Sequence, residues 1–379
     1  MLNAESIQSL ISIRKQIHSN PEVSGLEFNT QKTILKYLDS LGIKEMSTVG
    51  KTGVLAHFEG NDPGSAIMIR GDIDALPIQE VNDFEHKSLI KGVSHKCGHD
   101  GHTVILLGLA KVLKENPIHR GRVSLLFQPA EEDGMGAQAV MDDIEFQKHS
   151  FDFVYALHNL PSYEMHRVVV KDNEFTANVK SIIIKLNGKT SHAAEPELGF
   201  NPSMAISEIL NKAAELTNNN PEADDFFLIT PIYLNMGELA YGISAGYGEL
   251  HFTIRSWSTD LMNAQCDALL AFVNDSCSKH NLSPAISWTQ VFHANISHPL
   301  AVEKIRNAAK ELNLDLFERG YPFKWGEDFG LFTQKYPGAM FGIGAGIHTP
   351  ALHNPDYDFP DEIIPTAVNM FHRIIKQIL

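Results

Sequence analysis

Residues 122–134 read RVSLLFQPAEEDG. The apolar run 123–127 does not alternate with polar residues, so it reads as a strand covered on both faces. Strands of that kind belong to α/β sheets with helices packed above and below. The run gives way at once to Glu131 and Glu132, just past the carboxyl end of the strand, which is where α/β folds bind ligands.

The same pattern continues outward in both directions. Helical periodicity covers 4–19, 28–41 and 100–115, with short helices near 135–143 and 327–335 and longer ones at 299–312 and 362–378. Apolar strands fit 54–59, 66–72, 151–158 and 339–345. Between these halves the character changes. Strands at 179–187, 226–234, 247–256 and 285–292 enclose helices at 201–218 and 259–279, and 248–255 alternates clearly. Strand-helix-strand twice over is the ferredoxin-like order. The expected architecture is an α/β outer domain made of 1–175 and 294–379, with a ferredoxin-like α+β domain, 176–293, inserted into it.

The chain has 379 residues, 43% of them hydrophobic, and a formal net charge of −15. That is enough apolar material for a large core. An acidic surface argues against nucleic acid or an anionic membrane as partner. The N-terminus reads as an amphipathic helix, without a basic stretch followed by an apolar one, and no apolar run approaches a membrane span of about 20 residues, so the expected location is the cytoplasm. Of the three cysteines, Cys266 and Cys277 share one expected helix, about 16 Å apart at ~1.5 Å per residue, too far for a disulfide.

Chemistry concentrates in four places. HKCGHDGHT, 95–103, holds His95, Cys97, His99, Asp100 and His102. FQPAEEDG, 127–134, supplies Glu131 and Glu132; one could bind metal while its neighbour takes a proton from water. YALHNLP, 155–161, ends an apolar strand on His158, and ALHNPDYDFP, 351–360, places His353 in a loop. Taken singly these could be capping or core residues; together they point to a metal site. IRGDIDALP, 69–77, adds Asp72 and Asp74, with Asp74 either orienting a metal ligand or capping a turn.

RGDIDALP, HKCGHDGHT, FQPAEED, ALHNLP, GKTSHAA, GEDFG and LHNPDYDF, in this order, resemble the amidohydrolase subfamily of the aminoacylase/carboxypeptidase zinc metallopeptidases, which includes hippurate hydrolase, N-acetyl-diaminopimelate deacetylase and the auxin-conjugate hydrolases. The resemblance covers nearly the whole chain. It implies a hydrolase-like α/β catalytic domain, an inserted lid that makes a homodimer, and two divalent ions (Zn, Mn, Ni or Co). It places the ligands on Cys97, His99, Glu132, His158 and His353, and the general base on Glu131, which activates the attacking water and then protonates the leaving nitrogen. His192 matches a lid histidine that stabilises the oxyanion. Arg255 matches a lid arginine that holds a substrate carboxylate. The implied substrate is an N-acyl amino acid or similar small amide. Two stretches depart from the family's usual pattern: the lid segment 234–249, LNMGELAYGISAGYGE, and GEDF at 326–329, where SEDF is usual.

Three other readings compete. A dipeptidase or exopeptidase would use the same atoms around a different pocket. A cysteine-nucleophile hydrolase would use Cys97 activated by His99, and leaves Glu132, His158 and His353 without a role. A non-catalytic protein would have lost ligands, and none is missing. GKT at 188–190 lacks the upstream glycine of a phosphate loop, and GIGAGIHT at 342–349 lacks the third glycine of a dinucleotide loop.

Overall fold

The computed structural model describes residues 2–379, and these form two compact units. The first takes in the chain up to Phe175, then Asn295–Gly320 and Glu327–Leu379; the second is Thr176–Ala294 with Tyr321–Gly326. The excursion 321–326 had been assigned with the rest of 294–379. It joins the second unit through backbone bonds that leave no mark in side-chain pattern: Ala177 N–H donates to the Phe323 carbonyl at 2.9 Å. Arg255 Nε reaches the Lys324 carbonyl at 2.9 Å.

The first unit is built on an eight-stranded sheet. Its order is Met46–Val49, Gly53–Glu59, Arg120–Gln128, Asp62–Asp72, Phe153–Leu160, Gly338–Gly344, Val168–Val170 and Leu316–Glu318. The four central strands, from Arg120–Gln128 to Gly338–Gly344, are mutually parallel. Three of them are buried along nearly their whole length and Asp62–Asp72 over its second half, as apolar strands require when both sheet faces are covered. Parallel pairing also brings their carboxyl ends to one edge. Asp72, the segment leading to Glu131, His158 and the loop leading to His353 all leave the sheet there.

Helix His99–Glu115 packs against helices Ala4–Ser19 and Ile363–Lys376 and against strand Asp62–Asp72. Val104, Ile105, Leu106, Leu107 and Leu109 are all buried in the core of this unit, each contributing about 1.5–3 kcal/mol relative to exposure. Gly71 lies so close to this helix that a Cβ there would meet Leu106 Cδ1 at 3.0 Å. That packing fixes where the helix begins, and it begins at His99.

The short helix expected near 135–143 is Gly136–Asp142; a further short helix, Ile144–Gln147, follows it, because Asp143 turns extended and its side chain accepts from Glu145 N–H. The helix expected from 327 starts only at Gly330, since Glu327 and Asp328 are used as polar ligands of a buried arginine. Short strands at the sheet margins, such as Leu316–Glu318, were not anticipated; three residues are too few to show a period.

The second unit has a four-stranded antiparallel sheet in the order Phe227–Met236, Tyr247–Ser256, Asn178–Asn187, Ser283–Phe292. With helices Ser203–Leu216 and Thr259–Lys279 this is the ferredoxin-like arrangement. Every second residue of Tyr247–Ser256 is buried, and Leu250, Phe252 and Ile254 share a core with Ile206, Ile209, Met262 and Leu269. The unusual segment 234–249 runs off the edge strand, and its Ile243–Ser244 pairs antiparallel with Ser191–His192. All three cysteines are free. Among the described residues no helix is long and apolar enough to cross a membrane.

Candidate metal centre

Gly98 separates Cys97 from His99 at φ +96°, and a Cβ there would stand 2.8 Å from Asn159 Oδ1. Only glycine fits this left-handed turn against Asn159. It lets Cys97 and His99 approach one centre from either side of a helix start. Cys97, His99 and His158 are all buried. Cys97 Sγ lies 3.5 Å from His158 Nε2. The donor atoms of Cys97, His99 and His158 lie within 4.8 Å of one another, and so do those of Cys97, Glu132 and His353. Two three-donor groups therefore share one sulfur. His353 is the outlier in exposure, its side chain 53% accessible, with Nε2 3.6 Å from Glu132 Oε2. Its backbone sits at φ +65° and its N–H donates to the Lys96 carbonyl at 2.7 Å.

Asp74 joins two of these elements. Its Oδ1 is 3.2 Å from His99 Nδ1, while Oδ2 accepts from Glu132 N–H at 3.0 Å and from Ser24 Oγ at 2.7 Å. His158 Nδ1 is tied to the Asn159 carbonyl at 2.9 Å. Histidines with Nδ1 anchored and Nε2 turned inward are the usual form of metal-binding imidazoles. His99 Nε2 and Glu132 Oε1 are buried without a hydrogen-bond partner. Unpaired polar atoms in a buried site cost about 1–3 kcal/mol each, a cost that a bound cation would offset for these two.

The charges say the same. Burial, then the Glu327, Glu132 and Asp328 charges, push the Glu131 carboxyl well above the usual range. Burial raises Glu132 to about 8 even though His99 pulls it down. Burial and the two glutamates push the Cys97 thiol well up. Burial alone would lower His99, but Asp72, Asp74 and Glu132 carry it to about 10. Acids that resist ionisation beside a base that resists deprotonation describe a pocket short of positive charge. Burial and the neighbouring acids shift the thiol upward, the opposite direction to that of an activated nucleophile.

Beneath this pocket lies Arg70, fully buried. It donates to Asp72 at 2.6 Å, Glu327 at 2.8 Å, Asp328 at 2.8 Å and the Gln128 amide oxygen at 2.8 Å. Asp328 N–H in turn approaches Glu131 Oε1 at 3.4 Å. The sequence reading passed over Arg70, Gln128, Glu327 and Asp328 as participants. The available signal was a guanidinium inside an apolar strand, IMIRGD, which demands buried partners, together with the paired acids of GEDF.

His192 and Arg255 belong to the second unit. His192 is exposed, and its Nδ1 accepts from Ala194 N–H at 3.0 Å. Arg255 is half-buried on the face of its strand opposite the helices.

The model of peptidase family M20/M25/M40 matches residues 68–377. The chain belongs to peptidase family M20/M25/M40. Among M20 relatives, N-acetyl-L-cysteine deacetylase of Bacillus subtilis is 32% identical over 374 residues, spanning 98% of this chain and 88% of the relative. N-acetyldiaminopimelate deacetylase of Geobacillus thermodenitrificans is 31% identical over 354 residues, 92% of this chain and 93% of the relative. A solved M20 structure from Bacillus subtilis, described as a dinuclear metal binding peptidase, superposes with a TM-score of 0.84 at 25% identity over 100% of both chains. The M20 chain described here is a metal-dependent amide hydrolase.

Proposed function

We propose that this enzyme removes the acyl group from N-acyl amino acids or close relatives, using two divalent ions shared by Cys97. One would be held by Cys97, His99 and His158, the other by Cys97, Glu132 and His353. The observation that carries this reading is the pair of three-donor groups meeting at one sulfur. Deacetylases among the M20 relatives support the substrate class; an exopeptidase would need only a different pocket. Thiolate with imidazole suits Zn²⁺, and Mn²⁺ or Co²⁺ fit mixed sites of this kind.

Bound ions would polarise the scissile carbonyl and ease ionisation of water. Glu131, beside Glu132 but outside both donor groups, takes the proton of the attacking water. Its raised proton affinity then suits it to pass that proton to the leaving nitrogen. Asp74 fixes the ring of His99 and the backbone of Glu132 together. From the lid, His192 would stabilise the oxyanion and Arg255 a substrate carboxylate. The three unpaired thiols suit a reducing cytoplasm.

The test is a screen of N-acetyl, N-benzoyl and dipeptide substrates on protein stripped by chelator and reloaded. Activity is expected to vanish on stripping and return with Zn²⁺, Mn²⁺ or Co²⁺. Full activity in chelator, together with inactivation by iodoacetamide, would replace this mechanism with a cysteine nucleophile.

The lid also supports a homodimer. Strand Phe227–Met236 is an edge of its sheet, and Ile232 (61% exposed) and Leu234 (54%) sit on it. An exposed apolar edge strand is a pairing site that soluble proteins seldom leave open. Sedimentation velocity is expected to show a dimer, and Leu234→Lys to shift it toward monomer. A wild-type monomer at micromolar concentration would remove the partner subunit from the reading.

A further inference from the structure

Three imidazoles of the first unit share one arrangement, and only two of them are used above. His99 has Nδ1 on Asp74 and Nε2 buried without a partner. His158 has Nδ1 on a carbonyl and Nε2 beside Cys97. His102 has Nδ1 2.5 Å from Asp72 Oδ1 and Nε2 buried without a partner. We propose that His102 is a further donor of the metal centre, held in place by Asp72 and serving the ion shared by His99 and His158. The proposal rests on the reading of this site as a metal centre and adds a residue that reading leaves idle.

Asp72 is itself fixed, because its other oxygen takes Arg70 Nη1 at 2.6 Å. A neutral His102 that donates Nδ1–H to this carboxylate carries its lone pair on Nε2, the form in which imidazole binds metal. His102 lies one helical turn after His99, on the same helix face. Its ring centroid is 5.5 Å from that of His99 and 4.9 Å from that of His158, edge-on. Asp72, His99 and His102 each offer a donor atom within 4.8 Å of the others, the His102 nitrogen nearest Asp72 being Nδ1. His95 provides the contrast. It is equally buried, but neither of its nitrogens has a partner, so nothing orients it as Asp72 orients His102.

The experiment is a Zn²⁺ titration of the metal-free full chain, by competition with a chromophoric chelator, on wild type, His102→Asn, His102→Gln and Cys97→Ala. Circular dichroism of the metal-free proteins verifies folding, and the glutamine variant stands in if the asparagine one unfolds. Two binding steps are expected for wild type. Cys97→Ala is expected to weaken both. Loss of the His102 imidazole is expected to weaken one step by about 10- to 100-fold and leave the other within about twofold. If Cys97→Ala weakens both steps while both His102 variants bind as wild type, His102 is a structural histidine and the proposal is overturned with the centre intact. If Cys97→Ala binds as wild type, the centre itself is misread and the proposal falls with it.

Discussion

Glu131→Gln is expected to lower kcat by about 10⁴, the upper end of general acid–base contributions, because one carboxylate serves both proton transfers. Metal content is expected to stay unchanged, since Glu131 belongs to neither of the groups that meet at Cys97, although its oxygen lies within 4.8 Å of donors on His99 and Glu132. The amide keeps the side chain's shape and can still accept the long bond from Asp328 N–H. It also removes a carboxylate crowded by Glu327, Glu132 and Asp328. Stability is therefore expected to hold or rise slightly. Elemental analysis beside steady-state kinetics separates the two effects. Turnover near wild type in a metal-replete variant would take Glu131 out of the mechanism.

Arg70→Met is expected to cost about 3–5 kcal/mol of folding stability, the penalty for leaving buried charges without their counter-ion. The guanidinium meets Asp72, Glu327 and Asp328, all nearly inaccessible. By contrast, Lys148→Met, which removes an exposed pair with Glu145, is expected to change stability by less than about 1 kcal/mol. Urea denaturation of both variants makes the comparison. A loss below about 1 kcal/mol for Arg70→Met would mean that the three acids are held neutral and need no counter-charge. Burial pushes Asp328 up to about 8 despite Arg70, while bonds from Arg70, Gln128 and Ala137 N–H favour its carboxylate form.

The α/β class was legible because both sheet faces are covered, so 123–127 (with Ser124 its one polar residue) and 339–345 are apolar on both faces. The inserted ferredoxin-like unit was legible from the alternation of 248–255 and the order of its elements. Glu131, Glu132 and His158 stood out as motifs because they lie at or just past the carboxyl ends of apolar strands, and parallel pairing brings such ends to one edge. Pairing partners were harder to read. The Arg70 cluster draws on residues 70, 72, 128, 327 and 328, and sequence spacing carries no trace of who meets whom. The backbone tie of 321–326 to the second unit was hidden for the same reason. His102 was visible in HKCGHDGHT, but only the bond to Asp72 separates it from His95.

The link between Lys96 and His353 has a consequence for how the protein is made. Cys97, His99, Glu132 and His158 all precede the inserted unit, whereas His353 and strand Gly338–Gly344 follow it. On the ribosome, the inner donor trio is complete long before the outer one. The sheet edge beside Phe153–Leu160 stays open until the last few dozen residues emerge, an ordering that slows assembly because the pairing spans so much chain. A chain cut short before residue 353 would retain Cys97, His99 and His158 but could not finish the second trio.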